Sequence, residues 1–269
     1  MNSDVAPKES WSSGDAYERY VGRWSRIVAQ EFIRWLDVRE KRSWLDVGCG
    51  TGALSSTILA TAHPNHVKGI DRSEAFVETA RSRVNHPNVE FETGDAQSLP
   101  VESDVYDVAV SGLVLNFVPQ PHQMIAEMMR AIKKDGIVAL YVWDYAGKMQ
   151  FMRHFWDAAA ELDPAVRDLD EGLRFSVCNP EALSELFQKT GLTMIETRPI
   201  DIPTHFKDFD DYWNPFLGGQ GPAPVYLASL TEERRIQLRE RIHKGLPFDA
   251  DGSIPLIARA WAIKGIKSK

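Results

Sequence analysis

Apolar residues recur at spacings of three and four from Tyr17 through Tyr20, Val21, Trp24, Ile27, Val28, Phe32 and Trp35. That spacing predicts one helix over residues 14–36 with a single apolar stripe. Asp15 followed by Glu18 has the form of a capping box at its start. Beyond it, short apolar runs alternate with helical periodicity. Strands are predicted at 43–47, 66–70, 89–92, 106–111, 136–143, 193–200 and 254–263, and helices at 54–60, 74–84, 123–132 and 180–189. The run 136–143 is the most continuously apolar, as a central strand of a parallel sheet should be. Gly191 stands where the 180–189 helix should stop.

Alternation of this kind predicts an α/β fold, a doubly wound, mostly parallel, seven-stranded Rossmann-like sheet. Two stretches break the rhythm, 145–177 after the fifth strand and 201–252 after the sixth. Both are rich in aromatic residues, and connections of that length in a compact domain usually carry function. The expectation is one domain over 1–269, with these helical insertions forming a substrate cap.

Composition narrows the function. Of 269 residues, 38 are acidic and 31 basic, a formal charge of −7. An acidic chain argues against a dedicated nucleic-acid binder. No apolar run approaches the roughly 20 residues of a membrane span, and Met1–Ser10 lacks the apolar segment of a secretory signal. Two cysteines, Cys49 and Cys178, are too few for a disulfide framework or a zinc site. The expectation is a cytoplasmic enzyme or binder of small ligands with no metal, its oligomeric state open.

The chemistry concentrates in Leu45-Asp46-Val47-Gly48-Cys49-Gly50-Thr51-Gly52, which closes the first strand of the sheet and opens a helix. Gly48, Gly50 and Ala53 satisfy the G-x-G-x-x-A pattern of dinucleotide folds. Asp46 shifts the balance. A buried carboxylate two residues ahead of the first glycine repels a pyrophosphate and suits a cationic ligand. The segment resembles motif I of class I S-adenosylmethionine-dependent methyltransferases, and three further segments resemble that family's motifs in order. They are Gly69-Ile70-Asp71-Arg72-Ser73, Gly94-Asp95-Ala96-Gln97-Ser98-Leu99-Pro100, and Tyr106-Asp107-Val108-Ala109-Val110-Ser111-Gly112 with Leu115-Asn116-Phe117-Val118 following.

The resemblance spans about residues 44–143 and implies S-adenosylmethionine as cofactor. It implies cofactor contacts at Asp46, Gly48, Cys49, Gly50, Asp71, Arg72, Asp95, Ala96, Gln97, Ser111, Gly112 and Asn116. Asp71 would accept the ribose hydroxyls and Asp95 the adenine amine. Tyr20, Arg23 and Trp24 on the first helix would cover the cofactor, with Arg23 holding its carboxylate. The details are similar to the branch that methylates small molecules, as in quinone and sterol synthesis. Ser111-Gly112-Leu113-Val114 stands where nucleobase and glutamine methyltransferases carry Asn/Asp-Pro-Pro-Tyr.

On the acceptor side, Tyr145, Phe151, Phe155, Trp156, Trp213 and Phe216 are the expected pocket residues; the alternative is that they only glue the insertions together. Asp144, Tyr145, His122 and His154 are the candidates for a general base. No pairing in sequence singles one out, so catalysis by proximity and alignment is the default. The acidic cluster Asp208, Asp210 and Asp211 reads as a solvated face. The expected function is methyl transfer to a small organic acceptor. The alternatives are an NAD(P)-dependent oxidoreductase or a non-catalytic module that binds S-adenosylmethionine.

Overall fold

The computed structural model describes residues 22–218 and 221–268. Tyr20, the Asp15–Glu18 capping box and the rest of the expected helix before residue 22 lie outside the described residues. In chain order the elements are α1 (Arg23–Leu36), β1 (Ser43–Val47), α2 (Ala53–Thr61), β2 (His66–Asp71), α3 (Glu74–Arg83), β3 (Val89–Thr93) and β4 (Tyr106–Gly112). There follow α4 (Pro121–Ala131), β5 (Ile132–Trp143), α5 (Gln150–Leu162), α6 (Glu171–Arg174), α7 (Pro180–Thr190), β6 (Thr193–Phe206), α8 (Phe209–Trp213), α9 (Pro222–Ser229), α10 (Glu232–Gly245) and β7 (Ile254–Ile266).

One seven-stranded sheet runs in the order β3-β2-β1-β4-β5-β7-β6. The pairs β1–β2, β1–β4, β2–β3 and β4–β5 are parallel, and β5–β7 is antiparallel. This is the doubly wound, mostly parallel sheet that the alternation predicts. Strand order reverses between β1 and β4, the switch point at which such sheets open a ligand crevice beyond their carboxyl ends.

The described residues divide into two compact units. The sheet unit comprises Trp24–Trp143, Val177–Asp201 and the end of the chain from Arg259. Its core strands are buried on both faces, with Trp44, Leu45, Val108, Ala109, Val110 and Leu140 at 0–1% exposure, as a covered parallel sheet requires. α1 lays Trp24, Val28, Phe32 and Leu36 inward, and the Phe32 ring meets Tyr141 of β5 at 4.7 Å.

The second unit comprises Arg23, Asp144–Ser176 and Ile202–Ala258. Its centre is aromatic. Phe155 stacks on Phe216 at 4.5 Å, Phe216 on Phe151 at 4.6 Å, and Trp156 sets its edge against Phe155 at 5.2 Å. The Tyr212 hydroxyl donates to the Phe151 carbonyl at 2.8 Å. Phe151, Phe155, Trp156 and Phe216 are at most 1% exposed and Trp213 is 6% exposed. This corrects the expectation that these five line an acceptor pocket. Offset-stacked rings gain more from one another than from facing a solvated cleft, and they form this unit's hydrophobic core. Of the expected pocket residues only Tyr145 is half-buried, its ring tilted against Phe175 at 5.3 Å.

Element edges differ in instructive ways. β5 begins at Ile132 rather than at residue 136, with Lys133, Lys134 and Asp135 exposed ahead of its apolar run. β6 runs to Phe206 rather than stopping at residue 200, in spite of Pro199 and Pro203. β6 is an edge strand, and two prolines four residues apart withhold N–H groups on one side only, which an edge tolerates. Among the described residues no helix is long and apolar enough to cross a membrane.

Removing the central ring of the second unit tests its role. Phe155→Ala should lower the unfolding free energy of that unit by about 3–5 kcal/mol in urea titrations. A loss under about 1 kcal/mol would return Phe155 to the wall of an open pocket.

Candidate active site

The carboxyl ends of β3, β2, β1 and β4 lie along one edge of the sheet, because all four strands are parallel. That edge gathers the glycine turn, Asp71, the Asp95 loop and the Ser111–Asn116 turn within the sheet unit.

The N–H groups of the glycine turn face inward. Gly48 and Cys49 both donate to the Ile70 carbonyl, at 2.7 and 3.0 Å, and Gly52 donates to Cys49 at 2.9 Å. Gly50 donates to the Asp71 carboxylate at 2.9 Å. A pyrophosphate loop needs such groups pointing at the ligand; these four are already committed. The two glycines that bracket Cys49 differ in what they face. Gly48, at φ +76, packs so tightly on Val114 that a Cβ would stand 2.5 and 2.7 Å from its methyl carbons. Gly50, at φ +53, has nothing within 4 Å of that position, so the backbone there is open to a ligand. Cys49 is turned away: its side chain packs with Val77, Ala80 and Phe91, and burial pushes its thiol well up. Its side chain is filler within that cluster.

Asp46 is wholly buried. α2 begins at Gly52, whose missing side chain leaves the helix without a side-chain cap. Asp46 supplies the carboxylate instead. Its Oδ2 accepts the Ser55 hydroxyl at 2.7 Å, and the Ser55 backbone N–H also favours the charged form. Its Oδ1 is buried with no hydrogen-bond partner. Desolvation, with a smaller push from the Asp71 charge, raises its pKa to about 7. The position where dinucleotide folds seat a pyrophosphate is thus filled by the protein's own acid, which lacks a cation.

Asp71 ends β2 with each carboxylate oxygen anchored, Oδ2 by Gly50 and Oδ1 by the Ser73 N–H at 2.9 Å. Burial raises its pKa, and the two N–H bonds and nearby Arg72 hold that rise back. Each oxygen keeps a second lone pair, so the acid is fixed in place with accepting capacity left over. Arg72 is exposed.

In the Asp95 loop, Oδ1 of Asp95 accepts the Gln97 N–H at 2.8 Å, and the Gln97 side-chain oxygen accepts the Gln120 N–H at 3.0 Å. Ala96 is half-buried. The loop is held from behind by two residues that sequence reading passes over. Glu127 accepts the Leu99 N–H at 2.9 Å. Arg130 donates to the Leu99 and Val101 carbonyls at 3.1 and 2.8 Å while pairing with Glu127 at 2.7 Å. Glu and Arg three apart on a helix look like any surface pair, and only the fold shows what they grip.

At the end of β4 the buried Ser111 hydroxyl donates to the Val47 carbonyl at 2.6 Å, tying β4 to β1. The hydroxyl of Ser111 thus serves as a strand tie. Gly112 abuts Tyr141, whose hydroxyl oxygen would lie 2.5 Å from an added Cβ. Leu113 follows at φ +64, a conformation rare for a γ-branched side chain and characteristic of functional turns. Both polar atoms of the Asn116 carboxamide are buried without a partner.

Trp24 is buried in the core of the sheet unit. Arg23 belongs to the second unit, where it pairs with Asp211 at 3.0 Å and lies over the Phe206 ring at 4.7 Å. The other acids of that cluster are engaged too, Asp208 capping α8 at the Asp211 N–H and Asp210 pairing with Arg239. No group of three His, Cys, Asp or Glu among the described residues is placed to hold a metal.

Of the base candidates, Asp144 accepts the Gly147 and Lys148 N–H groups, one on each carboxylate oxygen, at 3.0 and 2.9 Å, which clamps its own turn and leaves each oxygen a second lone pair. His122 is exposed in the first turn of α4. Burial lowers the pKa of His154. Tyr145 packs on Phe175.

Residues 45–140 match a protein family described as a methyltransferase domain. The chain is similar to a malonyl-[acyl-carrier protein] O-methyltransferase of Halalkalibacterium halodurans, 30% identical over 44% of this chain and 47% of that one. It is also similar to a 2-methyl-6-phytyl-1,4-hydroquinone methyltransferase of Synechocystis, 29% identical over 66% of this chain and 55% of that one. The chain thus spans about half the length of these curated relatives. Among solved structures, phosphoethanolamine N-methyltransferase 2 of Haemonchus contortus shares the fold with a TM-score of 0.60, at 16% identity over 95% of this chain and 57% of that one.

The buried acid predicts a pH signature. A folded-state pKa of about 7 against the ordinary 3.8 means that the native state retains a proton that the unfolded chain releases. Its contribution to stability is therefore complete below about pH 4 and is lost as pH rises to about 7. Comparing urea unfolding of the native chain with Asp46→Asn isolates that group. The native chain should lose about 2–4 kcal/mol relative to the variant between pH 4 and 8. A difference that stays constant with pH would mean that Asp46 ionises as an ordinary carboxylate.

Proposed function

We propose that the chain, whose residues 45–140 match a methyltransferase domain, is a class I enzyme that transfers a methyl group from S-adenosylmethionine to a small organic acceptor. The observation that carries this reading is the seat of Asp46. An uncompensated carboxylate under a helix N-terminus rejects phosphates and accepts a cation. The cofactor's amino-acid tail supplies an ammonium, and its nucleoside half carries no phosphate. The same features argue against the NAD(P) reading, since Asp46 fills the anion seat and the glycine-turn N–H groups are spent.

The residues present fit that cofactor in three parts. Asp46 and the open backbone at Gly50 suit the amino-acid tail. Asp71, pre-set by Gly50 and Ser73, suits the vicinal ribose hydroxyls. Asp95 and the half-buried Ala96, braced by Glu127 and Arg130, suit the adenine edge. When bound, S-adenosylmethionine supplies a methyl group already activated on a sulfonium. The protein's share is alignment and exclusion of water around an in-line displacement, which needs no strong base. The hydroquinone relative, whose acceptor is a small molecule by name, supports a small acceptor here. We further propose that the chain works in the cytoplasm.

Calorimetry tests the assignment. S-adenosylhomocysteine should bind, and Asp71→Ala should weaken it by roughly 1.5–3 kcal/mol through loss of charge-assisted bonds to the ribose. Binding of NAD(P) with no response to S-adenosylhomocysteine would overturn the reading. Unchanged affinity in the variant would remove Asp71 from the ribose.

A further inference from the structure

We propose that the Glu127–Arg130 pair of α4 is the positioning device for recognition of the adenine base. It fixes the loop that carries Asp95, and so sets how strongly the site distinguishes a purine with an exocyclic amine from one without it. The inference rests on the methyltransferase reading and deepens it at the base end of the cofactor.

Asp95 by itself is a poor reader of a base. It is exposed, and an exposed carboxylate on a free loop exchanges water for an amine at little net gain. Selectivity at such a position comes from holding the acceptor in place before the ligand arrives, so that little ordering is left to do on binding. Local bonds aim the residue. Its Oδ1 accepts the Gln97 N–H at 2.8 Å and its carbonyl accepts the Ser98 N–H at 3.0 Å. These bonds shape the turn without fastening it to the rest of the fold.

The fastening comes from α4. Arg130 donates from Nε to Glu127 Oε1 and from Nη2 to Glu127 Oε2, both at 2.7 Å, a two-point fork that fixes both side chains. The fork grips the loop backbone. Glu127 Oε2 accepts the Leu99 N–H at 2.9 Å, Arg130 Nη2 donates to the Leu99 carbonyl at 3.1 Å, and Nη1 donates to the Val101 carbonyl at 2.8 Å. These bonds take hold on either side of Pro100. The Pro100 ring in turn closes on Gly94, where a Cβ would stand 2.8 and 2.9 Å from its Cδ and Cγ. Gly94 also donates its N–H to the Asp71 carbonyl at 3.0 Å. Asp95 is the next residue. It is therefore held between a backbone bond to β2 and a proline ring that α4 keeps in place. Gln97 adds a further tie, its Oε1 accepting the Gln120 N–H at 3.0 Å at the start of the same helix. Every contact in this path lies within the sheet unit.

The arrangement uses the shape of the guanidinium as well as its charge. One planar group serves both Glu127 oxygens and the Leu99 and Val101 carbonyls. A lysine ammonium carries the charge without the fork. Neither member of the pair is placed to touch the base. Both act through the backbone of residues 99–101, and the effect appears at Asp95, whose carboxylate keeps accepting capacity beyond the Gln97 bond.

The test compares, on the full chain, the affinity of S-adenosylhomocysteine with that of its analogue bearing hydrogen in place of the adenine amine. The native chain should prefer the former at least about tenfold, and Asp95→Ala should remove the preference. Arg130→Ala should reduce it to about threefold or less by weakening S-adenosylhomocysteine, with the affinity of the analogue held within about threefold. Arg130→Lys should not restore it. Glu127→Gln, the milder change, should leave an intermediate preference, and it carries the test if Arg130→Ala does not fold. A native preference retained in these variants, with both ligands weakened equally or not at all, overturns the proposal and makes the pair scaffold alone. A native chain that binds the two ligands equally also overturns it, because Asp95 then reads no amine. If S-adenosylhomocysteine does not bind the native chain at all, the methyltransferase reading itself has failed.

Discussion

A carboxylate with no cation, buried beneath the start of α2, is the constraint from which the rest of the site follows. Gly52 opens that helix without a side chain, so the first-turn N–H and hydroxyl of Ser55 turn to Asp46. The same exchange closes the anion seat that a phosphate would need. It also leaves a desolvated acid whose proton is held to about pH 7. Such a group is poorly satisfied alone, and a positively charged ligand repairs it. Local helix capping and ligand selection are here one interaction.

The neighbouring strand ends extend this logic through rigid backbone contacts. Asp71 receives the Gly50 N–H, so the β2 acid and the β1 turn hold each other. The Ser111 hydroxyl fastens β4 to β1, and Val114 beyond it packs against the bare Cα of Gly48. Glu127 and Arg130 brace the Asp95 loop from α4. Polar groups placed this way keep their positions before any ligand arrives, which is what a reaction governed by alignment demands.

Much of this was legible in the sequence. Periodicity located the strands and helices because a parallel sheet buried on both faces writes continuous apolar runs. The order of Asp46, Asp71 and Asp95 at three strand ends was readable because β-strand ends and glycine turns are local signals. What stayed hidden was three-dimensional in origin. Phe151, Phe155 and Phe216 satisfy a pocket pattern and a core pattern equally well, and only their mutual stacking separates the two. The clamp that Asp144 makes on the Gly147 and Lys148 N–H groups shows only in the fold. The run of β6 past residue 200 through Pro203 was hidden, because edge position is a property of the sheet and not of the strand. Ser111 pointed to a ligand by motif and to Val47 by geometry.

Proton release on binding examines the central electrostatic claim most directly. Titrating S-adenosylhomocysteine into the protein at pH 6.5, in buffers of different ionisation enthalpy, counts the protons expelled as the ligand's ammonium meets Asp46. The account predicts release of roughly half to one proton, and none in Asp46→Asn. Binding by the native chain with no proton released would contradict it, because the buried acid would then have no part in choosing the ligand.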